Sequence, residues 1–122
     1  MLTVLVADDE FAVLEVLSMA LEGEGHRVLK AGDGADALRL LVTQACDVVV
    51  VDEKMPVMNG QQVIEAMRAE PRLAKLPVIL MAESSGTAPL PEVDGAVVVG
   101  KPVQLGELFE HVERLGNSRR QP

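Results

Sequence analysis

Val48-Val49-Val50-Val51-Asp52-Glu53-Lys54-Met55-Pro56 decides how the rest of the chain is read. Four β-branched residues in a row mark a strand buried on both faces, the pattern of a parallel sheet covered by helices. Such a strand has no room for a charge, so the carboxylate of Asp52 arrives where the apolar run stops. In open α/β sheets ligands bind in the crevice beyond the carboxyl ends of the strands. Asp52 therefore stands where chemistry would be done.

The surrounding sequence alternates in the same way. Thr3-Val4-Leu5-Val6-Ala7 reads as a first strand, with Asp8-Asp9-Glu10 directly behind it. Val13, Leu14, Leu17, Ala20 and Leu21 recur at helical spacing up to Gly23 and Gly25, a helix-stop signal. Residues 27–31 read as a short second strand. Gly32-Asp33-Gly34 reads as a turn, and Leu38, Leu41, Val42 and Ala45 as a second helix. Residues 47–52 form the central strand, and Met55-Pro56-Val57-Met58-Asn59-Gly60 a loop. Val63, Ile64 and Met67 give a third helix, stopped before Pro71. Residues 77–82 and 96–99 read as the last two strands. Leu105, Leu108, Phe109, Val112 and Leu115 give the final helix, with Phe109 as its expected anchor.

Strands alternating with helices imply a parallel sheet with helices on both faces, joined by right-handed crossovers. One connection breaks the alternation. Between the fourth and fifth strands, residues 83–95 contain Pro89, Pro91, Gly86 and Gly95. An interior proline costs a helix ~3 kcal/mol. The expectation there is a loop with at most one helical turn, from Pro91 to Asp94.

The chain of 122 residues fits one domain with one core. It is placed at 1–116, with 117–122 a polar tail or the start of a linker. Only Phe11 and Phe109 are aromatic, so stacking on nucleobases has no platform. A formal net charge of −8 argues against a nucleic-acid or anionic-membrane surface. The single cysteine, Cys46, excludes an internal disulfide and reads as a packed small residue. No apolar run approaches a membrane span and the N-terminus lacks a signal-peptide layout, so a cytoplasmic location is expected.

Asp8, Asp9, Asp52 and Lys101 all follow the carboxyl ends of strands and so share one rim. Either Asp8 or Asp9 alone is an ordinary helix N-cap. Capping needs one of them, not both together with Asp52. Lys101-Pro102 alone is an ordinary solvated turn. His26 and His111 lie off this rim, which disfavours a phosphohistidine carrier.

VLVADDE (4–10), AGDGADAL (31–38), VVVVDEKMPVMNG (48–60), LPVILM (76–81) and GKP (100–102) leading into VQLGELFEHV (103–112) stand in a characteristic order. Together they resemble a response-regulator receiver domain of two-component signalling, of the chemotaxis single-domain type. The resemblance implies a flavodoxin-like, doubly wound, five-stranded parallel sheet of order 2-1-3-4-5. It implies that Asp52 accepts a phosphoryl group from a histidine kinase or phosphotransfer protein. It implies that Asp9, with Asp8 beside it, the Asp52 carboxylate and the Lys54 backbone carbonyl bind Mg²⁺. It implies that Lys101 pairs with phosphoryl oxygens. Such a domain promotes only its own phosphorylation and dephosphorylation and turns over no separate substrate. The chemistry fits: Mg²⁺ takes a few carboxylates plus phosphate and water, and phosphoryl transfer needs positioning and positive charge.

Three features depart from the resemblance. Ala82 stands where the family usually has Thr or Ser, and Val98 where it usually has an aromatic. Ser84 shares the strand parity of Ala82 but lies further along. The helix between the fourth and fifth strands is weakened. All three fall on the output side, so the competing expectation is a pseudo-receiver, a protein-binding module that works without phosphorylation. An aspartate-nucleophile phosphatase is disfavoured, because Lys54 stands where it would want a second acid.

Overall fold

A computed structural model describes residues 1–83 and 89–120. Its elements are β1 (Thr3–Ala7), α1 (Phe11–Gly23), β2 (Arg27–Ala31), α2 (Gly34–Thr43), β3 (Val48–Asp52), α3 (Gly60–Ala69), β4 (Val78–Glu83), β5 (Ala96–Lys101) and α4 (Leu105–Arg120). All strand pairs are parallel and the order is β2-β1-β3-β4-β5. The expected doubly wound sheet is therefore present.

β3 is buried along its whole length, and its two faces serve two cores. Val49 and Val51 pack with Leu5, Val63, Ile64, Met67 and Leu80 under α2 and α3. Val48 and Val50 pack with Val4, Leu14, Leu21, Ile79, Leu108 and Val112 under α1 and α4. Each fully buried valine contributes roughly 1.5–3 kcal/mol. The period of two along a strand thus sends alternate residues to opposite layers.

The helix starts follow local chemistry. Asp33 caps α2 by accepting from the Asp36 N–H at 2.7 Å. Asn59 and Gln62 form a reciprocal capping box on α3, both bonds 2.9 Å. Gly25 ends the α1 region at φ 91. Cys46 is partly buried, and its Sγ lies 3.2 Å from the Val48 carbonyl oxygen. Burial pushes its thiol up to about 11, so it is an inert packing residue.

Two expectations change. Phe109 is not the anchor of the last helix. Leu108 and Val112 are fully buried, while Phe109 is only partly covered on the flank. The helix lies so close to Leu2, the residue before β1, that a Cβ on Gly116 would sit 2.5 Å from a Leu2 methyl carbon, and the buried face runs along 108, 112 and 116. Secondly, α4 runs on through residues 117–120, which the sequence suggests as a tail.

Residues 89–95 contain no helix, only a turn at Asp94 and Gly95, in line with the proline content. Residues 84–88, Ser84 included, lie outside the described residues. Arg68, in the last turn of α3, secures the return of the chain. Its guanidinium donates to the carbonyls of Leu73, Ala74 and Leu76 at 3.4, 3.0 and 3.0 Å, and to that of Gly95 at 2.5 Å. Gly95 has φ 80, and a Cβ there would meet Arg68 Nε at 2.8 Å. Hydrogen bonds from a charged donor are worth ~1.5–3 kcal/mol, less where solvent competes. Arg68→Ala is expected to lose about 2 kcal/mol, a fall of roughly 8 °C in Tm. Thermal unfolding checks this, and an unchanged Tm would mean that water replaces these bonds without cost.

Candidate functional site

β1 and β3 are neighbours, so the residues that follow them converge. Asp8 leaves β1 with its amide donating to the Ala31 carbonyl at 3.1 Å. Its Oδ1 accepts from the Glu10 N–H at 2.9 Å. The N-cap of α1 is Glu10, whose side chain makes no capping bond. Neither Asp8 nor Asp9 therefore serves as the ordinary helix cap. Asp52 ends β3 with 2% of its surface exposed, and Asp8 has 1%. Asp9 is exposed. Carboxylate oxygens of Asp8, Asp9 and Asp52 all lie within 4.8 Å of one another.

Lys101, at the end of β5, reaches across β4 to place Nζ 2.7 Å from Asp52 Oδ1. The same oxygen accepts from the Lys54 N–H at 3.3 Å. Burial opposes the Lys101 charge, but the bond to Asp52 and the charges of Asp52, Asp8 and Glu10 outweigh it. The Lys101 pKa is held above the ordinary lysine value. Asp8 is pushed up to about 6, first by burial and then by the charges of Asp52 and Asp9, against the Glu10 amide and Lys101. Asp8 Oδ2 is buried with no hydrogen-bond partner. An orphaned carboxylate oxygen facing two more carboxylates fits a cation.

The 53–59 loop closes back over Asp52. Gly60 N–H donates to the Glu53 carbonyl at 3.0 Å. A Cβ on Gly60 would stand 2.5 Å from the Asp52 carbonyl oxygen, so only glycine lets α3 start this close. At the loop tip, Met58 N–H donates to the Pro56 carbonyl at 2.7 Å around Val57, which has φ 69. That is the rarer, strained γ-turn, and Val57 is 85% exposed at it.

Asp8, Asp9, Asp52, Lys54 and Lys101 gather at this rim, and Ala82 stands beside it near the end of β4, one residue past Met81, the register partner of Asp52. Ala82 is buried, on the face of Val78 and Leu80, and brings no hydroxyl. Val98 is half-buried on β5. His26 lies at the other end of the sheet, with Nδ1 accepting from the Leu2 N–H at 3.2 Å and Nε2 3.1 Å from Glu113. One participant was not legible. Glu83 belongs to β4 rather than to the following loop, and its Oε2 lies 3.5 Å from Lys54 Nζ. Its strand parity with Met81, the register partner of Asp52, is the signal that would have placed it.

An acid cluster closed by a lysine at the carboxyl edge of a 2-1-3-4-5 sheet defines a class, and sequence comparison agrees with it. The response regulator receiver domain family matches residues 4–113, and this chain belongs to it. It is 44% identical over 79 residues to the probable transcriptional regulatory protein TcrX of Mycobacterium tuberculosis, covering 65% of this chain and 33% of that protein. It is 36% identical over 115 residues to the transcriptional regulatory protein PrrA of the same organism, covering 92% of this chain and 48% of that protein. The chain thus spans a third to about half of these relatives. The structure of Vibrio cholerae chemotaxis protein CheY4 superposes with a TM-score of 0.84 at 26% identity, covering 94% of this chain and 98% of that one. The protein is a receiver domain of two-component signalling. Among the described residues no helix is long and apolar enough to cross a membrane.

Proposed function

We propose that this receiver takes a phosphoryl group onto Asp52 from the phosphohistidine of a histidine kinase or phosphotransfer protein, in the cytoplasm. The observation that carries this is the buried Asp52 carboxylate, held by Lys101 at 2.7 Å beside Asp8 and Asp9. In the transfer, the donor's P–N bond breaks and a P–O bond to Asp52 forms, the electron pair staying on the donor ring nitrogen. The product is an acyl phosphate. Lys101 orients the nucleophile and then faces a phosphoryl oxygen. Asp8, Asp9, Asp52 and the Lys54 carbonyl would hold Mg²⁺. Bound there, the ion would neutralise the carboxylates and the incoming phosphoryl oxygens. The domain turns over no separate substrate and works only on its own aspartate.

The phosphodonor must reach Asp52 from outside the rim. α1 offers it an apolar face: Phe11, Val16 and Met19 are 75, 58 and 67% exposed. A groove lined by Val13, Val16, Leu17, Val103 and Leu105 runs from that face toward Lys101. A partner helix packed there brings its histidine to the acid site.

Incubation with acetyl phosphate and Mg²⁺, read by intact mass, tests the assignment. The expected result is a gain of one phosphoryl group. A chain that never gains that mass would instead work as a pseudo-receiver, read by its partner without phosphorylation.

A further inference from the structure

The end of the sheet opposite Asp52 holds a cavity of about 490 Å³, within the range of small-molecule sites. Thr3 opens β1 beside it and Asp47 stands one residue ahead of β3, so it lies where strands begin. Ligands of open α/β sheets gather at the other edge, and no residue of the acid site lines this cavity. Leu41, Leu73 and Leu76, all buried, give it an apolar wall. Two arginines border it from different elements: Arg72 after α3 and Arg119 in the last turn of α4. Helix C-termini draw arginines to this end, but that does not account for two of them opening on one cavity without a carboxylate. The chain has 19 acidic residues against 11 lysines and arginines. Lys30, Arg39, Lys54 and Lys101 each hold a carboxylate at 2.7 to 3.5 Å. Among the described residues neither Arg72 nor Arg119 has an ion-pair partner, and the Arg72 guanidinium makes only a 3.5 Å bond to the Val42 carbonyl.

We propose that this cavity binds a short aliphatic dicarboxylate, each guanidinium forking onto one carboxylate while the methylene linker lies on the leucine wall. Arginine offers a carboxylate two parallel N–H donors, a match that a simple ion such as chloride cannot use. Two arginines on separate elements suit two acid groups joined by a carbon chain. Arg27 Nη2 donates to Gln44 Oε1 at 3.2 Å, which leaves the Gln44 amide NH2 as a further donor at the cavity. The cavity's own acid, Asp47, is tied into the sheet. Its Oδ2 accepts from the Thr3 N–H at 2.8 Å, and its N–H donates to the Thr3 carbonyl at 2.8 Å. Two guanidiniums and an amide donor against one tethered carboxylate leave the cavity positive in a chain of net charge −8. Arg72 belongs to the α3–β4 connection and Arg119 to α4, so the bound acid ties the end of α4 to that connection. The site works independently of the chemistry at Asp52.

Amide chemical shifts of the isotope-labelled protein are the readout, with glutarate titrated in at constant ionic strength. A chelator keeps the acid site free of metal, so that site takes up no anion. The expected result is a saturable shift, in the millimolar range, of amides in residues 44–47, 72–76 and 119. Arg72→Gln and Arg119→Gln are each expected to weaken binding about threefold to fivefold, the scale of an exposed ion pair, and together to abolish saturation. Arg114→Gln, on α4 but away from the cavity, is expected to change nothing. Arg72 and Arg119 are exposed, so these variants retain the fold, and an unchanged Tm checks that. Inorganic phosphate, which has no carbon body for the leucine wall, is expected to bind at least about threefold more weakly. Shifts that never saturate, that fall elsewhere on the chain, or that persist with equal affinity in both arginine variants overturn the proposal. Equal binding of phosphate and glutarate overturns the assignment to an organic acid. Pentanediol, of the same length without charge, is expected to shift nothing, and an equal response to it overturns the role of the guanidiniums.

Discussion

Asp52→Asn is expected to take up no phosphoryl group from acetyl phosphate, while the unsubstituted chain takes up one. The loss is complete rather than graded, because an amide oxygen is not a competent nucleophile and Asp8 and Asp9 occupy other places at the rim. Asp8 is tied to the Glu10 amide through Oδ1. Lys101 points its ammonium at Asp52, and no other carboxylate makes that 2.7 Å contact among the described residues. The substitution is nearly isosteric, and the Lys54 N–H can still donate to the amide oxygen, so the fold is expected to survive. Intact mass decides the matter. A variant that still gains the phosphoryl mass would move the acceptor to another side chain, which peptide mapping would locate.

Asp8→Asn is expected to make the metal-free protein more stable at pH 7. The Asp8 carboxyl has a pKa of about 6 in the fold against an ordinary 3.8. Between those values the folded chain holds a proton that the unfolded chain has lost. The stability that comes with that proton is fully present below 3.8 and is lost as pH rises through about 6. At neutral pH the fold therefore carries a buried, crowded carboxylate at a cost on the order of 2 kcal/mol. Removing the charge returns that amount, a rise of roughly 8 °C in Tm. Thermal unfolding in a chelator at pH 5 and pH 7 is the measurement. The unsubstituted protein should lose stability between the two pH values relative to the variant. Added Mg²⁺ should raise the Tm of the unsubstituted protein and do little for Asp8→Asn. An equal or lower Tm for the variant at pH 7 would mean that the charges of Asp8, Asp9 and Asp52 are already balanced without a cation.

The two predictions share a cause that was visible in the sequence. A run of four valines ending in an aspartate admits only a strand covered on both sides, and that places Asp52 at a ligand-binding edge. The strand order was not contained in that run; it followed from the resemblance, and β1 and β3 do lie side by side. The local pattern failed where a residue's role depends on a distant neighbour. Phe109 has the size of an anchor, yet the buried face of α4 runs along Leu108, Val112 and Gly116, with Gly116 against Leu2. Glu83 follows an apolar strand and looks like the first loop residue, yet it pairs in register with Lys101. Val57 carries no mark of the left-handed backbone it adopts, because a β-branched side chain is the wrong signal for that turn. Arg68 has no periodicity to betray it, since its partners are main-chain carbonyls that every sequence possesses.

Arg68 gives the β4–β5 connection an unusual independence. Its bonds run to main-chain carbonyls, and they anchor the returning chain at Gly95, after the connection is complete. The clasp itself reads no side chain of the stretch between Glu83 and Gly95, though Val93 packs against the α2/α3 core. Loop length is thermodynamically inexpensive, about 0.6 kcal/mol for each doubling. The stretch ahead of Val93 can therefore change in composition and in length while sheet and acid site stay fixed. For the protein engineer the part of this stretch ahead of Val93, which itself packs against the α2/α3 core, is an insertion point beside a chemical trigger.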